Sequence, residues 1–147
     1  KGTWIALQDD DDIWLPTKLE EQIKYSKEYD VIGTQIMYID ENNISPTQQG
    51  FGPQLEIKNN IIHENLKKYQ NEMANSAVII KKASILEVGG WNEDIPALVD
   101  MELWVKLSKK NARFINLNKI LMLHRIHNKS NFNVQKWDAK TILKHLF

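Results

Sequence analysis

The sequence has no cysteine, which excludes a disulfide scaffold, a thiol nucleophile and any zinc site built on thiolates. It has no surplus of either charge. With 19 basic and 19 acidic side chains the net charge is zero, so binding to nucleic acid through a basic surface is not expected. Apolar runs are short, none near the roughly 18 residues that a membrane-spanning helix requires. Arginine occurs only at Arg113 and Arg125. No internal repeat or low-complexity tract is visible, which argues against a solenoid. A starting Met and a charged leader are also missing: Lys1-Gly2-Thr3 runs straight into an apolar stretch, so the chain reads as cut from something longer. What is present is 147 residues, 42% of them hydrophobic, enough for one cored domain and too few for two ordinary ones.

Strand and helix signals roughly alternate, which indicates an α/β class. Trp4-Ile5-Ala6-Leu7 reads as a buried strand running into a loop, and Pro16 suits the first turn of a helix over 17–29. Val31 to Tyr38 is β-rich, whereas Asp40 to about Asn60 turns to Asn, Pro, Gly and Gln and reads as a long loop. A short helix is expected around Ile61 to Tyr69, a strand over 75–80, and a short helix over 82–88 stopped by Gly89-Gly90. Leu98, Met101 and Val105 share one helical face, followed by Lys109-Lys110 at the negative end of that helix. Two short strands, 114–117 and 120–123, and a closing helix over 136–147 complete the reading.

The most informative feature is Asp9-Asp10-Asp11-Asp12. Like charges at this range raise one another's pKa, and the run is wedged between two apolar stretches rather than set on a free tail. Open α/β sheets place ligands where a strand ends in a loop. In extended backbone Asp9 and Asp11 would point the same way, and two convergent carboxylates suit a hard divalent cation such as magnesium or manganese. A calcium EF-hand fails, because its sixth position is Trp14 where glycine is needed and Pro16 interrupts the loop.

Around this cluster the residues resemble a known family. The segment from Gly2 to Leu19, with its acidic run, Trp14-Leu15-Pro16 turn and Lys18-Leu19, is similar to the central part of glycosyltransferase family 2. Further blocks follow in the family's order: Asn75 to Lys81, Glu87-Val88-Gly89-Gly90-Trp91-Asn92-Glu93, Asp100 to Leu107, and Leu123 to Ser130. Val99 stands where the family often has Glu, His124 where Tyr is usual and Trp91 where Phe is usual.

The resemblance implies a GT-A fold, a Rossmann-like mixed sheet flanked by helices, here a single partial domain over 1–147 that lacks the N-terminal nucleobase-binding strands. It implies that residues 40–74 form the acceptor side. It implies an inverting transfer of sugar from a nucleotide-diphosphate sugar, UDP-linked, to a hydroxyl of a carbohydrate or other acceptor, in surface polysaccharide or glycoconjugate synthesis. Asp100 would be the general base. Asp9, Asp11, Asp12, Gly89, Gly90 and Arg125 would meet the donor and its diphosphate, and Asp11, Asp9 and His127 would hold Mn2+ or Mg2+. The expected setting is cytoplasmic, at the inner face of the membrane, with peripheral association and no transmembrane segment. Two alternatives stay open: a catalytically incomplete fragment of such an enzyme, and another metal-dependent enzyme of nucleotide phosphoryl chemistry. The residues also allow plainer roles. Asp100 would favour a helix N-terminus, Arg125 could pair with a surface acid, and the settings of Trp14, Trp91 and Trp104 suit core packing.

Overall fold

The computed structural model describes residues 1–45, 50–51, 57–127 and 138–146. Its seven strands form one mixed sheet: β1 (Trp4–Ala6), β2 (Ile13–Trp14), β3 (Val31–Ile39), β4 (Gly50–Phe51), β5 (Ile57–Lys58), β6 (Ile79–Lys81) and β7 (Phe114–Arg125). The main path runs β1-β6-β3-β7-β2, with β4 beside β3 and β5 beside β7. Among the described residues only β3 and β7 pair in parallel. Among the described residues five α-helices accompany the sheet: α1 (Lys18–Ile23), α2 (Asn59–Lys67), α3 (Lys82–Glu87), α4 (Val99–Lys109) and α5 (Ala139–Ile142).

Alternation along the strands sends apolar side chains to both faces, as expected of a sheet covered on each side. On one face Val31, Ile80 and Phe114 meet Ile62 and Leu66 of α2, Ile85 of α3, and Met101, Trp104 and Val105 of α4. On the other, Ile32, Ile79, Ile115 and Leu117 meet Trp4, Tyr25 and Tyr29. The chain is thus an α/β fold with helices flanking a mixed sheet. Among the described residues no helix is long and apolar enough to cross a membrane.

Several boundaries differ from expectation for identifiable reasons. The first helix stops at Ile23, because the next residues tighten into i to i+3 turns: Tyr25 N–H donates to Gln22 O and Ser26 N–H to Ile23 O. The two short strands expected after Arg113 are one strand, β7, whose interruption at Asn118-Lys119 is a bulge in the β3–β7 register. The strand expected from Asn75 begins only at Ile79, since Asn75–Ala77 forms a 3-10 turn. Within the long loop, Gly50–Phe51 and Ile57–Lys58 add short strands, while 46–49 and 52–56 lie outside the described residues. The closing helix is reduced to α5 and a 3-10 turn over Lys144–Leu146, with 136–137 and 147 also outside the described residues.

Candidate functional site

The site is built where β1 ends. Beyond Leu7 the chain does not stay extended: a turn over Asp9 to Asp12 brings Asp12 N–H to within 3.4 Å of Asp9 O. The alternation expected of extended backbone therefore does not apply, and each carboxylate takes its own direction. Asp10 is exposed, and Asp9 is held at the surface. Asp11 is half-buried, with Oδ2 at 2.9 Å from His127 Nε2.

Asp12 points inward and its side chain is fully buried. It accepts a hydrogen bond from Arg125 N–H at 3.0 Å, and its Oδ1 lies 3.0 Å from His124 Nδ1. Burial pushes the Asp12 carboxyl up, but bonds from His124, Ser76 and the Arg125 N–H outweigh it and hold the group below the usual carboxylate range. The Asp12 partner in turn raises His124 above its ordinary value, against the opposing effect of burial. Asp12 is a fastener between the acidic turn and the end of β7.

Arg125 ties the same parts from its side chain. Its Nε donates to Asp11 O at 3.0 Å, Nη1 to Asp40 O at 2.8 Å and Nη2 to Asn43 Oδ1 at 2.8 Å. The guanidinium thus joins the acidic turn to the loop after β3 through its planar fork of donors.

A second tether comes from the segment between α2 and β6. Asn75 Nδ2 donates to Asp9 Oδ1 at 3.1 Å, Asp9 N–H donates to Ser76 Oγ at 3.0 Å, and Trp14 Nε1–H donates to Ser76 O at 2.8 Å. Beneath this, Gln22 Nε2 donates to Ile32 O and Ala77 O at 2.6 and 2.8 Å. Gln22 Oε1 accepts from Lys18 Nζ at 3.0 Å, and that ammonium lies 4.1 Å from the centre of the Trp14 ring. Lys18 and Gln22 are both almost wholly buried, an i, i+4 pair from α1 supporting the 3-10 turn.

The same segment reaches the other acid. Asp100 lies in the first turn of α4, and its Oδ2 accepts from Asn71 Nδ2 at 3.0 Å. Burial raises its pKa, opposed by the Met101 N–H and the Asn71 amide, while the charge of Asp9 pushes it further up. Leu98 caps the start of the helix: it adopts a left-handed backbone with φ 60° and accepts from Glu102 N–H at 2.9 Å.

Gly89 and Gly90 have φ of +79° and +76°, so both need glycine, and no atom lies within 4 Å of where a Cβ would stand. The surface before them is open. Trp104 is buried in the core, Trp91 packs against it, and Trp14 supports Ser76. Among the described residues no group of three or more His, Cys, Asp or Glu side chains forms a ready-made metal cage.

The structure thus gathers Asp9, Asp11, Asp12, Arg125 and His127 in one bonded cluster and joins it through 71–76 to Asp100. Residues that sequence reasoning assigned no functional role are His124, noted only as standing where Tyr is usual, and Asn71, Asn75 and Ser76. A signal was available: two asparagines four apart, and a serine directly before the apolar run 77–80.

The family model described as glycosyl transferase family 2 matches residues 1–87, which includes the acidic turn and both of its tethers from 71–76. The O-antigen biosynthesis glycosyltransferase WbnJ of Escherichia coli is 33% identical over 138 residues, covering 88% of this chain and 50% of that protein. Glycosyltransferase MJ1057 of Methanocaldococcus jannaschii is 29% identical over 140 residues, 90% of this chain and 45% of that protein. The amylovoran biosynthesis glycosyltransferase AmsE of Erwinia amylovora is 25% identical over 121 residues, 80% of this chain and 43% of that protein. The chain spans about half the length of these relatives or slightly less. With the model matching more than half of its residues, the chain belongs to glycosyl transferase family 2.

Proposed function

We propose that this chain forms part of a GT-A-fold transferase that moves a sugar from a UDP-sugar to an acceptor hydroxyl with inversion, using Asp100 as general base. The observation that carries this reading is the single segment, 71–76, bonded at one end to Asp100 and at the other to Asp9. A base and a diphosphate-binding acid must act on opposite sides of the same sugar carbon, and a shared strut keeps them in register.

The donor set suits a hard cation completed by substrate. Asp11 Oδ2 and His127 Nε2 stand at 2.9 Å, so an oxygen and an imidazole nitrogen already converge, with Asp9 on the same turn. Magnesium sites commonly combine one or two carboxylates with substrate phosphates rather than a full protein cage. Asp11, Asp9 and His127 would hold Mn2+ or Mg2+. When bound, the cation neutralises charge on the departing diphosphate.

The chain's own residues supply the rest. Asp100 accepts the hydroxyl proton as the acceptor oxygen bonds to the anomeric carbon. The carbon–oxygen bond to the diphosphate breaks, and its electron pair leaves with the phosphate. Burial raises the basicity of Asp100, which suits a proton acceptor. Gly89 and Gly90 leave open backbone for the donor sugar, and the described residues of 40–74 (40–45, 50–51 and 57–74) would face the acceptor. Asp12 and Arg125 act on the donor by fixing the acidic turn. The names of two relatives refer to O-antigen and amylovoran biosynthesis, which supports an acceptor in surface polysaccharide synthesis.

Calorimetry of UDP with the intact protein, with and without Mn2+, tests this reading. Metal should strengthen UDP binding, Asp11→Ala should remove that gain, and Asp100→Asn should keep it while losing sugar transfer. Equal UDP affinity with and without metal would sink the metal role. Release of inorganic phosphate without a sugar acceptor would favour nucleotide phosphoryl chemistry instead.

A further inference from the structure

Asp100 meets the segment before β6 through one side chain, and that side chain is unusually constrained. Asn71 Oδ1 accepts from Met73 N–H at 3.0 Å. An amide oxygen facing an N–H leaves the Nδ2 group to face Asp100, so the two ends of the amide cannot be exchanged. The backbone that carries Asn71 is pinned on either side, before it by Gln70 N–H donating to Asn65 O at 2.9 Å and after it by Glu72. Glu72 O accepts from Asn116 Nδ2 at 3.3 Å, and Glu72 Oε1 accepts from Asn65 Nδ2 at 2.7 Å. Met73 is buried against Gly33, where an added Cβ would come within 2.8 Å of Met73 Cε.

We infer that Asn71 is a positioning residue for Asp100: its fixed amide occupies Oδ2, sets the plane of the carboxylate together with the Met101 N–H, and leaves the lone pairs not so occupied to face the acceptor hydroxyl. This rests on the reading of Asp100 as the base. Met73 N–H orients the amide, the amide orients the carboxylate, and α2, β7 and the Met73 side chain hold the group against drift. Asp9, on the acidic turn, is a charged group that acts on Asp100 from another element. Glu102, on the same helix, is buried and paired with Lys106 at 3.3 Å.

Asn71→Asp is the informative variant. It keeps the shape and the acceptor for Met73 N–H, and exchanges only the donor facing Asp100 for a second carboxylate oxygen. Asn71→Ala removes the contact altogether. Carbon-13 carboxyl titration of the intact protein, with the Asp100 signal assigned through Asp100→Asn, should show Asp100 titrating at higher pH in Asn71→Ala and higher still in Asn71→Asp. In turnover assays kcat should fall tenfold or more, its acid limb should move upward in the same order, and Mn2+-dependent UDP affinity should stay unchanged. An unmoved Asp100 titration in both folded variants would overturn the positioning role. Retained transfer by Asp100→Asn would instead overturn the base reading, and the titration would still report on Asn71.

Discussion

Replacing Lys18 by Met should make the chain more stable at neutral pH and erase a rise in stability above pH 8. Lys18 is 1% exposed, and burial pulls its pKa from 10.5 to about 8. Each unit corresponds to about 1.4 kcal/mol, so carrying the ammonium charge inside the fold at neutral pH costs about 3 kcal/mol. The unfolded chain binds more protons between pH 8 and 10.5, so stability grows as pH rises through that window. It is fully gained above the unfolded value and lost as pH falls through the folded one. Met fills similar volume without charge but leaves Gln22 Oε1 without its donor, a loss of about 1 kcal/mol. The expected balance is a gain of about 2 kcal/mol at pH 7 and a small loss above pH 10.5. Urea unfolding of both proteins from pH 7 to 11 measures this, because groups common to both cancel in the difference. A difference that stays flat across this range would refute the reasoning.

Asp12 and His124 should show a pH-dependent coupling in a double-mutant cycle of Asp12→Asn and His124→Phe. The depressed pKa of Asp12 gives stability present above its unfolded value and lost as pH falls through the folded one. The raised pKa of His124 gives stability present below its unfolded value and lost as pH rises through the folded one. Thermal unfolding should therefore find the coupling largest near pH 5 and absent in strong acid and in base. Gly90→Ala should destabilise by about 1 kcal/mol, because φ of +76° is disfavoured for alanine while the space around it is open. A loss well above that in denaturant melts would mean that the site is crowded.

The outline of the fold was legible because its signals are local. Apolar runs marked β1 and β3, and the helical spacing of Leu98, Met101 and Val105 marked α4. The bulge in β7 was read as a break, since exposed Asn118 and Lys119 look the same in a loop and in a strand that arches over its neighbour. The acidic run was visible as a site, but its geometry was not. Whether four neighbouring carboxylates alternate or curl depends on Asn75, Ser76, His124 and Arg125, which lie 60 or more residues away. Buried polar residues were the least legible: nothing in Lys18 or Gln22 distinguishes a core pair from a solvated helix face.

The parallel pairing of β3 with β7 also sets an order of events during folding. Its strands stand about 80 residues apart in sequence, so a long loop must close before either strand gains from the other. His124, Arg125 and His127 arrive only with that closure. Until then Asp9 to Asp12 repel one another with none of their later partners from β7 nearby. Refolding should accordingly be slow, and moderate salt should quicken it by screening the carboxylates while they wait.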